Sequence, residues 1–176
     1  VLKDAASAAI YGANAANGVV LVTTKQGQTG PGKLSYSMQM GSQSVGNYTQ
    51  PMDAASYTTW MNEAVPSEDI TNTGVNTNWM DESLQSAMMQ NHHLSFSGAT
   101  EGGNYYTSLS YMNQDGVVGG DKANYERLNA RVNINQQIKS WIKVGVNANY
   151  TRFKRQAVAE DDEFGGVIAQ ALMMDP

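Results

Sequence analysis

Between residues 33 and 152, apolar and polar side chains repeatedly alternate with a period of two, the mark of strands with one apolar and one wet face. In 33–46, Leu34, Tyr36, Met38 and Met40 alternate with Ser35, Ser37, Gln39 and Gly41. Residues 92–98 set Leu94 and Phe96 against Ser95 and Ser97, and 104–114 put Tyr105, Thr107, Leu109 and Tyr111 on one face. In 126–138, Leu128, Ala130, Val132, Ile134 and Ile138 oppose Arg127, Asn129, Arg131, Asn133 and Asn135. Residues 141–152 set Ile142, Val144, Val146, Ala148 and Tyr150 against Lys143, Gly145, Asn147 and Asn149. The spacing predicts five strands of about 10 residues, the length of a tilted strand that crosses a bilayer.

The predicted connectors are unequal. A long one covers about 47–91, Glu101-Gly102-Gly103 is a tight turn, 115–124 is of medium length, and a second tight turn lies near Lys139-Ser140. Short turns at one end and longer loops at the other are the habit of outer-membrane barrels. Within the long connector, Asp53 is placed to cap a helix carrying Tyr57, Trp60, Met61 and Ala64 on one face. Asn78 is placed to cap another carrying Met80, Leu84, Ala87 and Met88. Aromatic Tyr48, Tyr105, Tyr111, Trp141, Tyr150 and Phe153 fall near strand ends, which fits interfacial girdles; aromatic side chains also simply favour strands.

The first part of the chain reads differently. Ala-rich residues 4–12 predict a short helix stopped by Gly12, and Asn17-Gly18 marks a turn. Val19 to Thr24 form a β-branched run without alternation, which predicts a strand covered on both faces. A Gly- and Gln-rich stretch follows. The expected division is therefore 1–27 as an αβ unit, 28–32 as a linker and 33–176 as a β-meander.

Composition sharpens this picture. Asn, Gln, Ser, Thr and Gly together supply 71 of 176 residues, whereas charged residues supply only 15%. That mixture suits strands and turns and is poor helix material. No apolar run is long enough for a helical membrane span, which leaves a membrane barrel open. Cys is absent, which removes disulfides, Cys-based zinc sites and thiol nucleophiles. The chain starts at Val1 without a signal peptide and is expected to be a piece of a longer protein. The net charge of −5 is unevenly spread: residues 34–121 carry nine acidic and no basic residues, and 122–155 carry eight basic and one acidic. A pI near 4.9 argues against a nucleic-acid binder.

Candidate chemistry is sparse. Gly27 to Lys33 fit the glycine-rich part of a phosphate loop, but Leu34 has no hydroxyl for a magnesium ion and no helix follows. His92 and His93 are adjacent in a predicted strand and point to opposite faces, so they cannot chelate one metal together. No Ser-His-Asp arrangement is legible, and an enzyme is not expected. Glu160-Asp161-Asp162-Glu163 lacks the spacing of a calcium loop and reads as a solvated acidic loop. No cofactor is expected.

The run Leu2-Lys3-Asp4-Ala5-Ala6-Ser7-Ala8-Ala9-Ile10-Tyr11-Gly12, then Ala16-Asn17-Gly18-Val19-Val20-Leu21-Val22-Thr23-Thr24-Lys25 and Gly27, resembles the end of the plug of SusC/RagA-type TonB-dependent outer-membrane receptors. Asn78-Trp79 with Asp81-Glu82, and Gln90-Asn91-His92 with Leu94-Ser95 and Ser97-Gly98, resemble the family's first external loop and second strand. Tyr111, Gln114-Asp115-Gly116, Arg127-Leu128-Asn129 and Trp141-Ile142-Lys143-Val144-Gly145-Val146-Asn147 follow in family order. The chain departs from the pattern at Asn14, where the family often has Arg, and at His93, where it commonly has Asn.

The resemblance implies a mainly β fold: part of a transmembrane antiparallel barrel, an up-and-down meander of about five strands, preceded by the αβ tail of a plug domain. The whole would be a plugged barrel of roughly 22 strands in the outer membrane of a Gram-negative, Bacteroidota-like bacterium. It would import glycans or peptides. Implied partners are a SusD-like surface lipoprotein, the TonB complex through a segment absent here, and outer-membrane lipid. Tyr48, Tyr57, Trp60 and Trp79 would then lie in an external loop, stacking on a ligand or packing the loop's own helices. Arg127, Arg131 and Lys143 would face the lumen, holding the plug or attracting anionic groups. The competing class is a soluble all-β carbohydrate-binding module, which would bury the same apolar faces against a second sheet.

Overall fold

A computed structural model of the chain describes residues 9–12, 18–22, 25, 30–160 and 164–176. Five strands form one sheet: β1 (Gly30–Gln43), β2 (Ala87–Thr100), β3 (Gly103–Asp115), β4 (Asn124–Lys139) and β5 (Ile142–Gln156). Each pairs antiparallel with the next, in the order β1-β2-β3-β4-β5. All five expected strands are present. β1 starts at Gly30, inside the expected linker, and its pairing is irregular between Gly30 and Lys33. β2 has 14 residues, twice the length its alternation suggests. Its first residues carry no period-two signal, yet they are paired on both sides, Ala87 with Gln43 and Met89 with Gly41 and Gln114.

The registers stack the alternating positions into rungs across the sheet. One face carries Tyr36, Leu94, Leu109, Ala130 and Tyr150 in one rung and Leu34, Phe96, Thr107, Val132 and Ala148 in the next. The opposite face carries Ser35, Ser95, Ser108, Arg131 and Asn149, then Lys33, Ser97, Tyr106, Asn133 and Asn147. On the apolar face the Tyr105 ring lies over Gly98 and Gly32, with its centroid 5.2 Å from that of Phe96. A side chain at Gly98 would overlap the Tyr105 hydroxyl, so the aromatic covers backbone that glycine leaves bare. Tyr111 and Tyr150 also lie on the apolar face. Phe153 lies on the polar one, where it stacks on Tyr125, and Tyr48 sits in the first loop, so these two fall outside any outward girdle.

Short turns close one end of the sheet, at 101–102 and 140–141, and the longer connections lie at the other. In the long connection, α1 (Ala54–Ala64) follows the expected cap: Asp53 accepts from the Ser56 amide at 2.7 Å. The next helix, α2 (Trp79–Ser83), is capped by Asn78 as expected but is only 5 residues long. Ala87 and Met88, expected on its face, belong to β2 instead. The reason is tertiary. Leu84 bridges Val118, the Gln85 amide donates to the Val117 carbonyl at 2.9 Å, and Gly119 donates to Ser83, so the β3–β4 connection captures the chain in extended form. A last helix, α3 (Val167–Met173), packs on α2.

Of the N-terminal segment, Ala9–Tyr11 form a 3-10 turn and Gly12 follows at φ 71, as expected of a helix stop; residues 4–8 lie outside the described residues. Val20, Leu21 and Val22 are exposed, so the expected cover on both faces is not supplied by any described residue. The buried core is small: Met80, Ala87, Tyr106, Ala123 and Ala171, with Asn133 as the buried polar residue. The chain exposes 12891 Å², against about 8,400 Å² for a compact monomer of this mass. Both faces of β5 are exposed along nearly its whole length.

Candidate functional site

Strand alternation sends Ser and Asn side chains, with Lys33, Arg127, Arg131 and Lys143, to one face, and Val22 and Lys25 of the N-terminal segment line a cleft on it. The Asn133 side-chain amide donates to the Lys25 carbonyl at 3.1 Å. Asn133 is 4% exposed and its rung neighbour Tyr106 7%, both buried. Around the contact lie two open clefts of about 450 and 390 Å³ that share Lys25, His93 and Tyr106. Lys33 lines one and Arg131 the other, and no carboxylate among the described residues lines either. The surface is a cationic, hydroxyl- and amide-rich wall, suited to holding carbonyls or anionic groups.

The three basic residues singled out from the sequence share this face but differ in their surroundings. Arg131 lines the cleft beside Lys25. Arg127 reaches the Met112 sulfur at 3.8 Å and lies in register with Met112 and Phe153. Lys143 pairs with Gln137 next to the short turn and is exposed. Among the described residues, only Arg131 of the three lines a cleft shared with the N-terminal segment.

The two histidines separate as strand geometry requires. His92 lies on the apolar side, with Nδ1 2.7 Å from the Tyr36 hydroxyl and Nε2 3.4 Å from Gln90. His93 faces the polar side, with Ser37 and Ser110 across from it in register. No local pattern signals that juxtaposition, because register between distant strands sets it. No hydrogen bond joins the three, and no carboxylate orients the ring among the described residues. The described residues also contain no cluster of three metal-ligating side chains; most of the acidic run 160–163 lies outside them.

The four aromatic candidates of the first loop are used unequally. Tyr48 donates to the Asp81 carboxylate, Tyr57 donates to that of Asp175, and the Trp79 indole donates to the Asp175 carbonyl at 2.7 Å. Trp60 is 52% exposed. Asp175 and α3 were not singled out by sequence reasoning, although Val167, Ile168, Ala171 and Leu172 carry a helical spacing. The hydrogen bond to Asp175 raises the Tyr57 phenol above its ordinary value, since the proton is held in the bond. Asp53 is held below the ordinary carboxylate value, chiefly by the Ser56 backbone amide.

No family model matches the chain. A TonB-dependent receptor, P3, of Formosa agariphila is 36% identical over 166 residues, covering 94% of this chain and 16% of that protein. The TonB-dependent receptor SusC of Bacteroides thetaiotaomicron is 30% identical over 179 residues, covering 100% of this chain and 17% of its own length. A solved structure, the RagAB peptide importer in the open-open state, superposes with a TM-score of 0.77 at 25% identity, over 91% of this chain and 22% of the solved one. The chain belongs to the SusC/RagA-type TonB-dependent receptors. It spans about one sixth of the curated relatives it matches. The five-stranded meander is thus part of a TonB-dependent receptor barrel, and the open edges of β1 and β5 are the edges of that part.

Proposed function

We propose that this chain is the plug end and the first wall strands of a longer outer-membrane transporter, which imports glycans or peptides with energy delivered through TonB. The plug tail lies within residues 1–27, the connection follows to about residue 32, and the wall occupies the rest. One observation carries the reading: the N-terminal segment is hydrogen-bonded to the polar face through Asn133, while the opposite face is a bare apolar band. A plug inside and hydrocarbon outside account for both faces at once. The likeness to the RagAB peptide importer supports import as the activity.

In this reading Arg127, Arg131 and Lys143 face the lumen. Arg131 holds the plug segment, and the exposed Lys143 lies near the periplasmic turn. The first loop and α3 form an external cap that a SusD-like lipoprotein covers. Tyr48, Tyr57 and Trp79 stiffen that cap, which leaves Trp60 as the aromatic of the four able to stack on a ligand or partner.

The test is fractionation of the complete protein together with uptake by a deletion strain. Recovery in the outer-membrane fraction, with loss of growth on a glycan or peptide source upon deletion, is the expected result. Recovery in the soluble fraction overturns the reading in favour of a soluble binding module.

A further inference from the structure

The apolar face has a sharp upper edge, and basic side chains stand on it. From Ile138 to Leu128 along β4, ten residue steps at about 3.4 Å span about 34 Å. A tilt of about 40° reduces this to about 26 Å, close to the apolar band of roughly 25 Å in outer-membrane barrels. The last apolar rung holds Met38, His92, Tyr111, Leu128 and Arg152. The next holds Met40, Gln90, Asn113, Glu126 and Lys154, and the one beyond holds Ser42 and Met88 on β1 and β2 and is polar from Asp115 to Gln156, so the edge is sharp along β3, β4 and β5. Arg152 therefore stands level with the edge of the hydrocarbon, and Lys154 about 5 Å further out.

Both residues are exposed, and the other basic residue in register on this face is Lys139, across from Ile142 beyond the irregular pairing. Glu126 lies across from Lys154, yet neither cation makes an ion pair or a hydrogen bond among the described residues. The end with the longer loops carries this pair, whereas the short-turn end has the single Lys139 in register with Ile142. In an outer-membrane barrel the longer loops lie outside. Long basic side chains at such a boundary extend toward headgroups while their stems remain on apolar surface.

We propose that Arg152 and Lys154 form a seat for the phosphate groups of outer-leaflet lipid, with His92, Gln90 and Asn113 lining the same level. The proposal rests on the reading above, in which the apolar face meets the bilayer. The occupant is a phosphate-bearing lipid because the fixed charge is continuous with the apolar band: a headgroup supplies the anion and its acyl chains the grease. A guanidinium recognises phosphate through paired N–H donors, and the ammonium adds a point charge.

The experiment uses the complete receptor in detergent, titrated with lipid A and with the same lipid after removal of its phosphates. An Arg152→Gln/Lys154→Gln double variant is expected to bind lipid A roughly 30-fold more weakly than the unaltered receptor, the equivalent of about 1 kcal/mol per basic residue at an anionic lipid surface. Both proteins are expected to bind the dephosphorylated lipid alike. Equal affinity of the two for lipid A overturns the seat. A second measurement separates this from failure of the underlying reading: quenching of a Val146→Trp variant by brominated lipid. With quenching present and lipid A affinity unchanged, only the headgroup seat falls; without quenching, the outward assignment of the apolar face falls with it.

Discussion

Asn133 shows how a single side chain is decided by its surroundings. In the sequence it is one of several amides alternating with apolar residues in 126–138, and nothing separates it from Asn129 or Asn135. In the folded chain it is buried under the N-terminal segment and donates to the Lys25 carbonyl, whereas Asn147, next to it on the same rung, is exposed. Loss of a buried partner leaves that carbonyl unsatisfied, at a cost of about 1–3 kcal/mol. Asn133→Ala is thus expected to lower the unfolding free energy of the complete receptor, read from denaturant titration, by that much. Asn147→Ala is expected to change it by less than about 0.5 kcal/mol. Equal effects would place the plug contact elsewhere. Arg131 is legible as a wall residue from its spacing; that it, rather than Lys143, lines the cleft with Lys25 depends on register between strands far apart in sequence.

The two loop helices show where local chemistry suffices and where it does not. α1 follows its sequence signal because its start is satisfied locally: Asp53 accepts from Ser56, and Asn76 accepts from the Ala54 amide at 2.7 Å. The carboxylate of Asp53 is favoured in the folded state, so its capping contribution is present above the ordinary value of 3.8 and is lost as the pH falls through the lowered value. NMR titration of Asp53 is expected to give a midpoint below 3.8. Asp53→Ala is expected to speed amide exchange of the first turn at neutral pH; unchanged exchange would remove the cap from the account. α2 begins as well as α1, with Asn78 accepting from Met80 and Asp81, yet stops after 5 residues. Its continuation is a competition between a marginal helix and strand-like pairing to 117–119, and the pairing wins. The same competition explains β2, whose first residues are zipped in from both sides without any alternation of their own.

At the scale of the whole chain, the accessible area exceeds that of a compact monomer by about half. Leu34, Leu109, Val146 and Tyr150 are exposed on one face, and β1 and β5 present unpaired edges. Such a sheet needs neighbouring strands and a bilayer. The isolated 176-residue chain in aqueous buffer is therefore expected to associate and to show no cooperative thermal transition by circular dichroism. A cooperative melt of a soluble monomer would contradict this and support a self-contained β module.

Period two in the chain determined the strands, their two faces and the long and short connectors, because Cβ atoms alternate sides whatever the strand pairs with. The capping residues and the glycine stop were equally local. Tertiary structure alone decided the registers, and with them the rungs that set His93 between two serines, Arg152 at the edge of the apolar band and Asn133 under Lys25. Those are sums over contacts between segments far apart in sequence, and no local pattern encodes such sums.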